Sequence, residues 1–313
     1  MGPAELVQAM TIAHDYFLAG KAKTEIAAEF GISRYKVARI LDACVAEGIV
    51  RIEISAPTTM DAELSEQLRR TFGLRHVLVV TIDSTEVGQL RQELGAAAAA
   101  LLTEIITEED VLGVAWGRTL DAMANALKTL APCRIVQMTG MAGSVNANST
   151  DLLRRLAAIS RGPAHPIYAP LFVSDTATAT ALSRQPGIAA ATARFSSITK
   201  AVVAVGSWDP DGSQLYPALH PEDLAAIAGV DVAAEVCSIL LGADGTPIDT
   251  ELNRRTMAIR TPQLRRIPEV IAVAGGESKA RAIYSVLRSR LASSVVTDQN
   301  AARRLLQLAA QDA

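Results

Sequence analysis

The stretch DVLGVAWGRTLDAMANAL, residues 110–127, decides the fold. Its first part, VLGVAW, is a continuous apolar run. A strand buried on both faces reads this way, because neither face meets water. Gly117 then supplies a turn. After it, Leu120, Met123, Ala124 and Leu127 recur at the spacing of a helix that buries one side. Strand, glycine and amphipathic helix make half of a crossover unit, and crossovers join parallel neighbours.

Similar runs lie on both sides: HVLVVTI (76–82), RIVQM (134–138), AVVAVG (201–206), VIAVAG (270–275) and SSVVTD (293–298). Helical patterns separate them, including an alanine-rich one from Arg91 to Ile106. The expected class is therefore α/β with a mostly parallel sheet. The chain has 313 residues, a net charge of −3 and half of its residues hydrophobic, as befits a folded protein of two domains. The polar segment SAPTTMD, 55–61, marks the boundary, giving domains 1–55 and 56–313; the stretch from Asp61 to Phe72 looks helical. The apolar stretch from Gly95 to Ile106 is too short to span a bilayer and is interrupted by Thr103 and Glu104. No leader pattern opens the sequence, so a cytoplasmic protein without membrane contact is expected. Cys44, Cys133 and Cys237 are scattered in apolar surroundings, and the four histidines are dispersed. Neither disulfide nor metal spacing occurs, and no metal or cofactor is expected.

Ligands of such sheets bind beyond the carboxyl ends of the strands. Three loops there stand out. In the first, Gly117 permits close backbone approach, Thr119 offers a hydroxyl, and Arg118 lies in the first turn of a helix. A cation there opposes the helix dipole and becomes reasonable if an anion is bound. The second, QMTGMAGSVNANSTD (137–151), follows RIVQM with small polar residues; Asn146 and Asn148 suit sugar hydroxyls, and Thr139, Gly140 and Asn148 join the expected effector set. In the third, Gly275 and Gly276 precede Lys279, another cation in a first turn. Arg118 and Lys279 are expected to face one phosphate. Neither GxxxxGK[ST] nor GxGxxG is present.

The first 55 residues read differently. Val7, Met10, His14, Phe17 and Leu18 recur at helical spacing up to Gly20. Thr24 can cap a short helix to Phe30, Gly31 suits a turn, and Ser33 can cap a further helix. That helix buries a stripe of Val37, Ile40, Leu41, Cys44 and Val45. Its opposite face carries Tyr35 and Arg39, with Arg34 and Lys36 nearby. This is the layout of a helix-turn-helix, whose second helix enters the major groove. Ser33, Arg34, Tyr35, Lys36 and Arg39 are the expected DNA-contacting residues. IVRIEI alternates as a wing strand would. The head holds six Lys/Arg against seven Asp/Glu, so one copy should bind DNA weakly and oligomerisation is implied.

With GISRYKVARIL, GVAWGRTL, HPIYAPLFV (165–173) and the run from VIAVAGGESKARAIY to NAARRLL (270–306), the chain resembles the SorC family of sugar-responsive bacterial regulators, sometimes grouped with DeoR-type proteins. The resemblance covers essentially the whole chain. It implies a sensor domain similar to ribose-5-phosphate isomerase and glucosamine-6-phosphate deaminase. It further implies a phosphorylated sugar as effector, operator DNA as partner and a homotetramer, a dimer of dimers. It places Gly117, Arg118 and Thr119 on the phosphate, Lys279 opposite them, and Glu235 near the effector. Two departures from the family pattern occur: Ala234 stands where a glycine usually precedes the acid, and Gly206-Ser207-Trp208 replaces Gly-Ile-Gly. The rival reading is a sugar-phosphate isomerase or deaminase with an appended head; Glu235, Asp244 and Asp249 show no spacing suited to acid–base work. A third reading is a binding module whose helical head pairs subunits.

Overall fold

The computed structural model describes residues 2–50, 60–82, 86–141 and 149–312. The chain divides into two units, Met1–Pro57 and Thr58–Ala313. The first contains three helices, α1 (Pro3–Phe17), α2 (Lys23–Glu29) and α3 (Arg34–Ala46). They close around Ile12, Ile26, Val37, Leu41 and Cys44, all buried. Gly31 turns the chain between α2 and α3 at φ 63°, a conformation open to glycine at little cost. Ser33 caps α3, its Oγ accepting the Lys36 N–H at 3.2 Å.

Three sequence expectations for this unit are corrected. The buried face of α1 is Ala9, Ile12 and Ala13, while Val7, Met10, Phe17 and Leu18 are exposed. The helix carries two apolar sets, and the one with alanines lets α3 approach until Cys44 Sγ reaches Ala9 O at 3.7 Å. Helix α2 starts at Lys23 with Ala22 as its cap, so Thr24 is internal; the Glu25 carboxylate accepts the Ala22 N–H at 2.9 Å. Val45 ends the α3 stripe exposed. Ile49 and Val50 pack on this core, whereas the rest of the expected wing strand lies outside the described residues.

The second unit begins with α4 (Ala62–Phe72), capped by Asp61, and runs through β1 (Val77–Val80), α5 (Val87–Ile105), β2 (Val111–Val114) and α6 (Arg118–Ala126). Then come β3 (Arg134–Gln137), α7 (Ser149–Ser160), β4 (Ala164–His165), α8 (Thr176–Ser183) and α9 (Pro186–Ala193). β5 (Lys200–Ala204), β6 (Gly206–Ser207), α10 (Pro221–Ile227), β7 (Ala234–Val236) and β8 (Ile239–Leu241) follow. The chain finishes with α11 (Glu251–Arg254), α12 (Thr261–Leu264), β9 (Glu269–Val273), α13 (Ala280–Arg288), β10 (Ser294–Asp298) and α14 (Gln299–Gln311).

Seven strands form one sheet in the order β1-β10-β9-β5-β2-β3-β4, and every pairing in it is parallel. The apolar runs read from the sequence are its strands, buried on both faces as expected. A small antiparallel sheet, β6-β7-β8, is additional. Its strands of two or three residues are too short to show a period, and its hairpin turns through Cys237 and Ser238 at positive φ. Turns of that kind are normally signalled by glycine or asparagine.

Three neighbouring strands, β9, β5 and β2, bring three loops together: Gly117 after β2, Gly206 after β5, and Gly275-Gly276 after β9. The placement of α6 depends on Gly95 of α5. A Cβ there would lie 2.6 Å from the Met123 amide nitrogen and 2.7 Å from the Ala122 carbonyl carbon. In an unobstructed helix Gly→Ala gains up to about 1 kcal/mol. Here the sign reverses: Gly95→Ala should cost about 1–3 kcal/mol through overpacking, read as a lower urea midpoint with unchanged slope. In the head, Ser33→Ala should cost about 1 kcal/mol by loss of the cap, read in the same way.

Candidate functional site

The site begins where α6 meets β5. A Cβ on Gly117 would stand 2.7 Å from Ala204 Cβ, so glycine lets the helix start directly over the end of the central strand. The first N–H groups of a helix have no partners within it. That of Arg118 is taken by Gln214 Oε1 at 3.0 Å. The Arg118 guanidinium donates to the Asp211 carbonyl at 2.8 Å. Both acceptors belong to one segment, residues 208–215.

Lys279 arrives from the other side. It ends a 3-10 turn, Glu277–Lys279, ahead of α13 rather than lying within the helix. Its Nζ donates to Val205 O at 3.0 Å, beyond the end of β5. Arg91, from α5, lines the same cavity as Arg118 and Lys279, together with Thr119, Gln214 and Glu235. A larger cavity of about 630 Å³ adjoins it and shares Arg91, Thr119, Gly212 and Lys279.

The electrostatics are one-sided. Burial, then the nearby Arg118, lowers the Lys279 ammonium to about 8, with Arg91 adding to the repulsion. Burial and Arg118 also lower the Arg91 guanidinium. Glu235 faces these cations from β7, between buried Ala234 and Val236. Burial pushes its carboxyl up to about 7, against the Ser238 N–H and Lys279, which favour the anion. Gly206 makes room for it: a Cβ would lie 2.7 Å from Glu235 Oε1. Three cations thus converge with one carboxyl that is itself reluctant to ionise. Such a place is suited to hold an anion.

Gly117, Arg118, Thr119, Glu235 and Lys279 are therefore brought to one cavity. Thr139 and Gly140 are not. They lie beneath the segment 257–258, where Thr139 bridges Ala258 and the Gly140 N–H donates to Met257 O at 2.6 Å. That segment pairs with the chain after β3, and neither Thr139 nor Gly140 lines the cavity. Asn146 and Asn148 lie outside the described residues. In the head, Ser33, Arg34, Lys36 and Arg39 are exposed along one side of α3, and Tyr35 is 84% exposed.

Arg91 and Gln214 were not foreseen. Arg91 had a signal: it precedes the buried Leu94 and Gly95 by three and four residues, so it lies on the inward face of its helix. Gln214 had none, since its partner is 96 positions away. Among the described residues no group of His, Cys, Asp and Glu could hold a metal ion, and no helix is long and apolar enough to cross a membrane.

The model of the family described as "Putative sugar-binding domain" matches residues 56–307. A transcriptional regulator LsrR from Enterobacter sp. (strain 638) is 28% identical, over 95% of this chain and 92% of its own. The erythritol catabolism regulatory protein EryD of Brucella abortus is 27% identical over 98% of both chains. The full-length sorbitol operon regulator SorC from Klebsiella pneumoniae superposes with a TM-score of 0.74 at 23% identity, covering 97% of this chain and 99% of that one. A domain of a possible sugar-binding transcriptional regulator from Arthrobacter aurescens TC1 gives 0.71 at 26% identity, covering 80% of this chain and 100% of its own. The shared parallel sheet, the family match over the body and the full-length relatives agree: this chain belongs to the sugar-binding-domain family of SorC-type transcriptional regulators.

Proposed function

We propose that the protein is a DNA-binding regulator whose operator affinity is set by a phosphorylated sugar held between the Gly117 and Lys279 loops. The observation that carries this reading is the convergence of Arg91, Arg118 and Lys279 on one cavity. Among the described residues, the Arg118 N–H and guanidinium meet neutral oxygens, those of Gln214 and Asp211. A phosphate offers the same geometry with full charge, and charge-assisted hydrogen bonds are roughly twice as strong. A bound phosphate therefore displaces Gln214 and the Asp211 carbonyl, and the segment that carries them moves.

Chemistry is not needed for this role. Differential binding between two arrangements of the protein suffices, and its size limits the response. Glu235 is the carboxyl of the smaller cavity, and acid–base isomerisation needs a base placed at the sugar's first carbons. The relatives with assigned roles are regulators. Operator contact falls to α3, with Arg34, Lys36 and Arg39 on phosphates and base edges, Tyr35 beside them, and Ser33 fixing the start of the helix. The head is not basic overall, so a homotetramer placing several heads on repeated half-sites completes the affinity. Effector binding then changes subunit packing and the spacing of the heads.

Each of Lys279→Ala and Arg118→Ala should weaken sugar-phosphate binding about ten- to a hundredfold, the worth of a hydrogen bond to a charged group. Calorimetric titration with hexose phosphates measures this; affinities equal to wild type would remove the residue from the site. Arg34→Ala and Arg39→Ala should each cost about 1–3 kcal/mol of operator affinity, with the oligomeric state by light scattering unchanged. Loss of assembly instead would support the subunit-pairing reading of the head.

The pH dependence follows from Lys279. Its ligand-free value of about 8 lies below the ordinary 10.5, and a bound dianion raises it again. Binding therefore takes up a proton, and affinity falls as pH rises from 7 to 9. Ionisation of Glu235, near 7, adds to the same trend. Titrations in buffers of different ionisation heat should show net proton uptake at pH 8.5; proton release there would contradict the assignment.

A further inference from the structure

The larger cavity has the opposite charge from its neighbour. Its cations, Arg91 and Lys279, are the ones it shares with the smaller cavity, whereas Asp209, Asp211, Glu277 and Asp298 line it without lining the other. Two of these carboxylates accept backbone N–H groups. Asp209 accepts the N–H groups of Asp211 and Gly212 at 3.1 and 2.6 Å; against burial, the Ser207 hydroxyl first and then these N–H groups hold its carboxyl below the usual range. Asp298 caps α14 through the Asn300 and Ala301 N–H groups and also accepts that of Gly276. Asp211 and Glu277 are exposed. Ile82, Leu90 and Leu94 add apolar surface to the lining.

We propose that this cavity pair selects an effector with a single phosphate and an uncharged, hydroxyl-rich far end, and that it rejects bisphosphates. The proposal rests on the phosphate reading given above and adds the identity of the other end. A phosphate seated among Arg91, Arg118 and Lys279 directs the remaining carbon chain into the larger cavity. Its volume of about 630 Å³ is within the usual range for small-molecule sites. Hydroxyl groups there find acceptors in the carboxylates and partners in Ser278 and Asn300, and the C–H face of the chain lies on the leucines. A second phosphate would meet four carboxylates among the described residues, two of them already oriented by backbone donors. The Debye length at about 0.1 M salt is about 10 Å, so repulsion across a cavity of this kind is only partly screened.

The test is calorimetric titration of the full-length chain at about 0.1 M ionic strength with glucitol 6-phosphate, fructose 1,6-bisphosphate and inorganic phosphate. The expected order places glucitol 6-phosphate at least tenfold tighter than either of the others. Equal or tighter binding of the bisphosphate overturns the selection proposed here and leaves the phosphate site standing. Failure of all three probes to bind overturns the phosphate reading itself, and this proposal with it. A second arm uses the variant Asp211→Asn/Glu277→Gln, which changes two exposed side chains and keeps the Asp211 carbonyl that meets Arg118. The ratio of bisphosphate to monophosphate dissociation constants should shrink at least threefold in it. An unchanged ratio shows that the acids do not set the choice and overturns the proposal.

Discussion

The constraint on which the body depends is the convergence of three cations on one cavity at the ends of three adjacent parallel strands. Arg91, Arg118 and Lys279 reach one cavity from α5, α6 and the turn before α13. Burial, with their mutual repulsion added to it, lowers the proton affinity of Lys279 and Arg91. Glu235 does not neutralise them, because its own burial disfavours ionisation. A fold tolerates such an arrangement only when the rest of its core more than offsets it. Here the fully buried strands β2, β9 and β10 and the buried centre of β5 supply that core. Strained electrostatics at a strand terminus, backed by an ordinary packed sheet, is how binding sites are commonly built.

Glycines set the distances. Gly95 lets the backbones of α5 and α6 approach closely, and Gly117 lets α6 begin against Ala204. Gly206 leaves space for the Glu235 carboxylate, and Gly275 leaves space for that of Asp298. Each of these positions sits at or beside a strand end or a helix contact; the first two set how closely elements pack, and the last two admit a carboxylate that a side chain there would exclude. The cavity is thus formed as much by absent Cβ atoms as by the groups that line it.

Much of this was legible in the sequence, for identifiable reasons. Strands buried on both faces leave unbroken apolar runs, and six of the seven strands of the main sheet were visible that way. Arg118 and Lys279 stood out because cations are disfavoured at helix starts, a rule that depends only on local position. What escaped was non-local or ambiguous. The hairpin at Cys237-Ser238 takes positive φ without glycine. Helix α1 offers two apolar faces, and the choice between them depends on how closely α3 packs. Thr139 and Gly140 follow a strand as binding residues do, but a segment more than a hundred residues later covers them. Gln214 reaches Arg118 from a loop whose sequence carries no mark of it.

The segment 208–215 connects the site to the rest of the body. Within it, Gln214 and Asp211 hold Arg118. Trp208, at its start, stacks edge-on against Tyr216 at 5.3 Å, and Leu215, at its end, is fully buried with Leu171, Leu219 and Leu240. A group that competes for Arg118 therefore acts on a segment tied to a second, smaller hydrophobic cluster, distinct from the one around the main sheet. Packed clusters shift between discrete arrangements rather than deforming continuously. Exchange of two neutral acceptors for one anion is a change of a few hydrogen bonds, about the 1–3 kcal/mol over which allosteric couplings operate. The energy available at the cavity and the energy needed to reposition such a segment are of the same order, so occupancy of the site and position of the segment are bound to be linked.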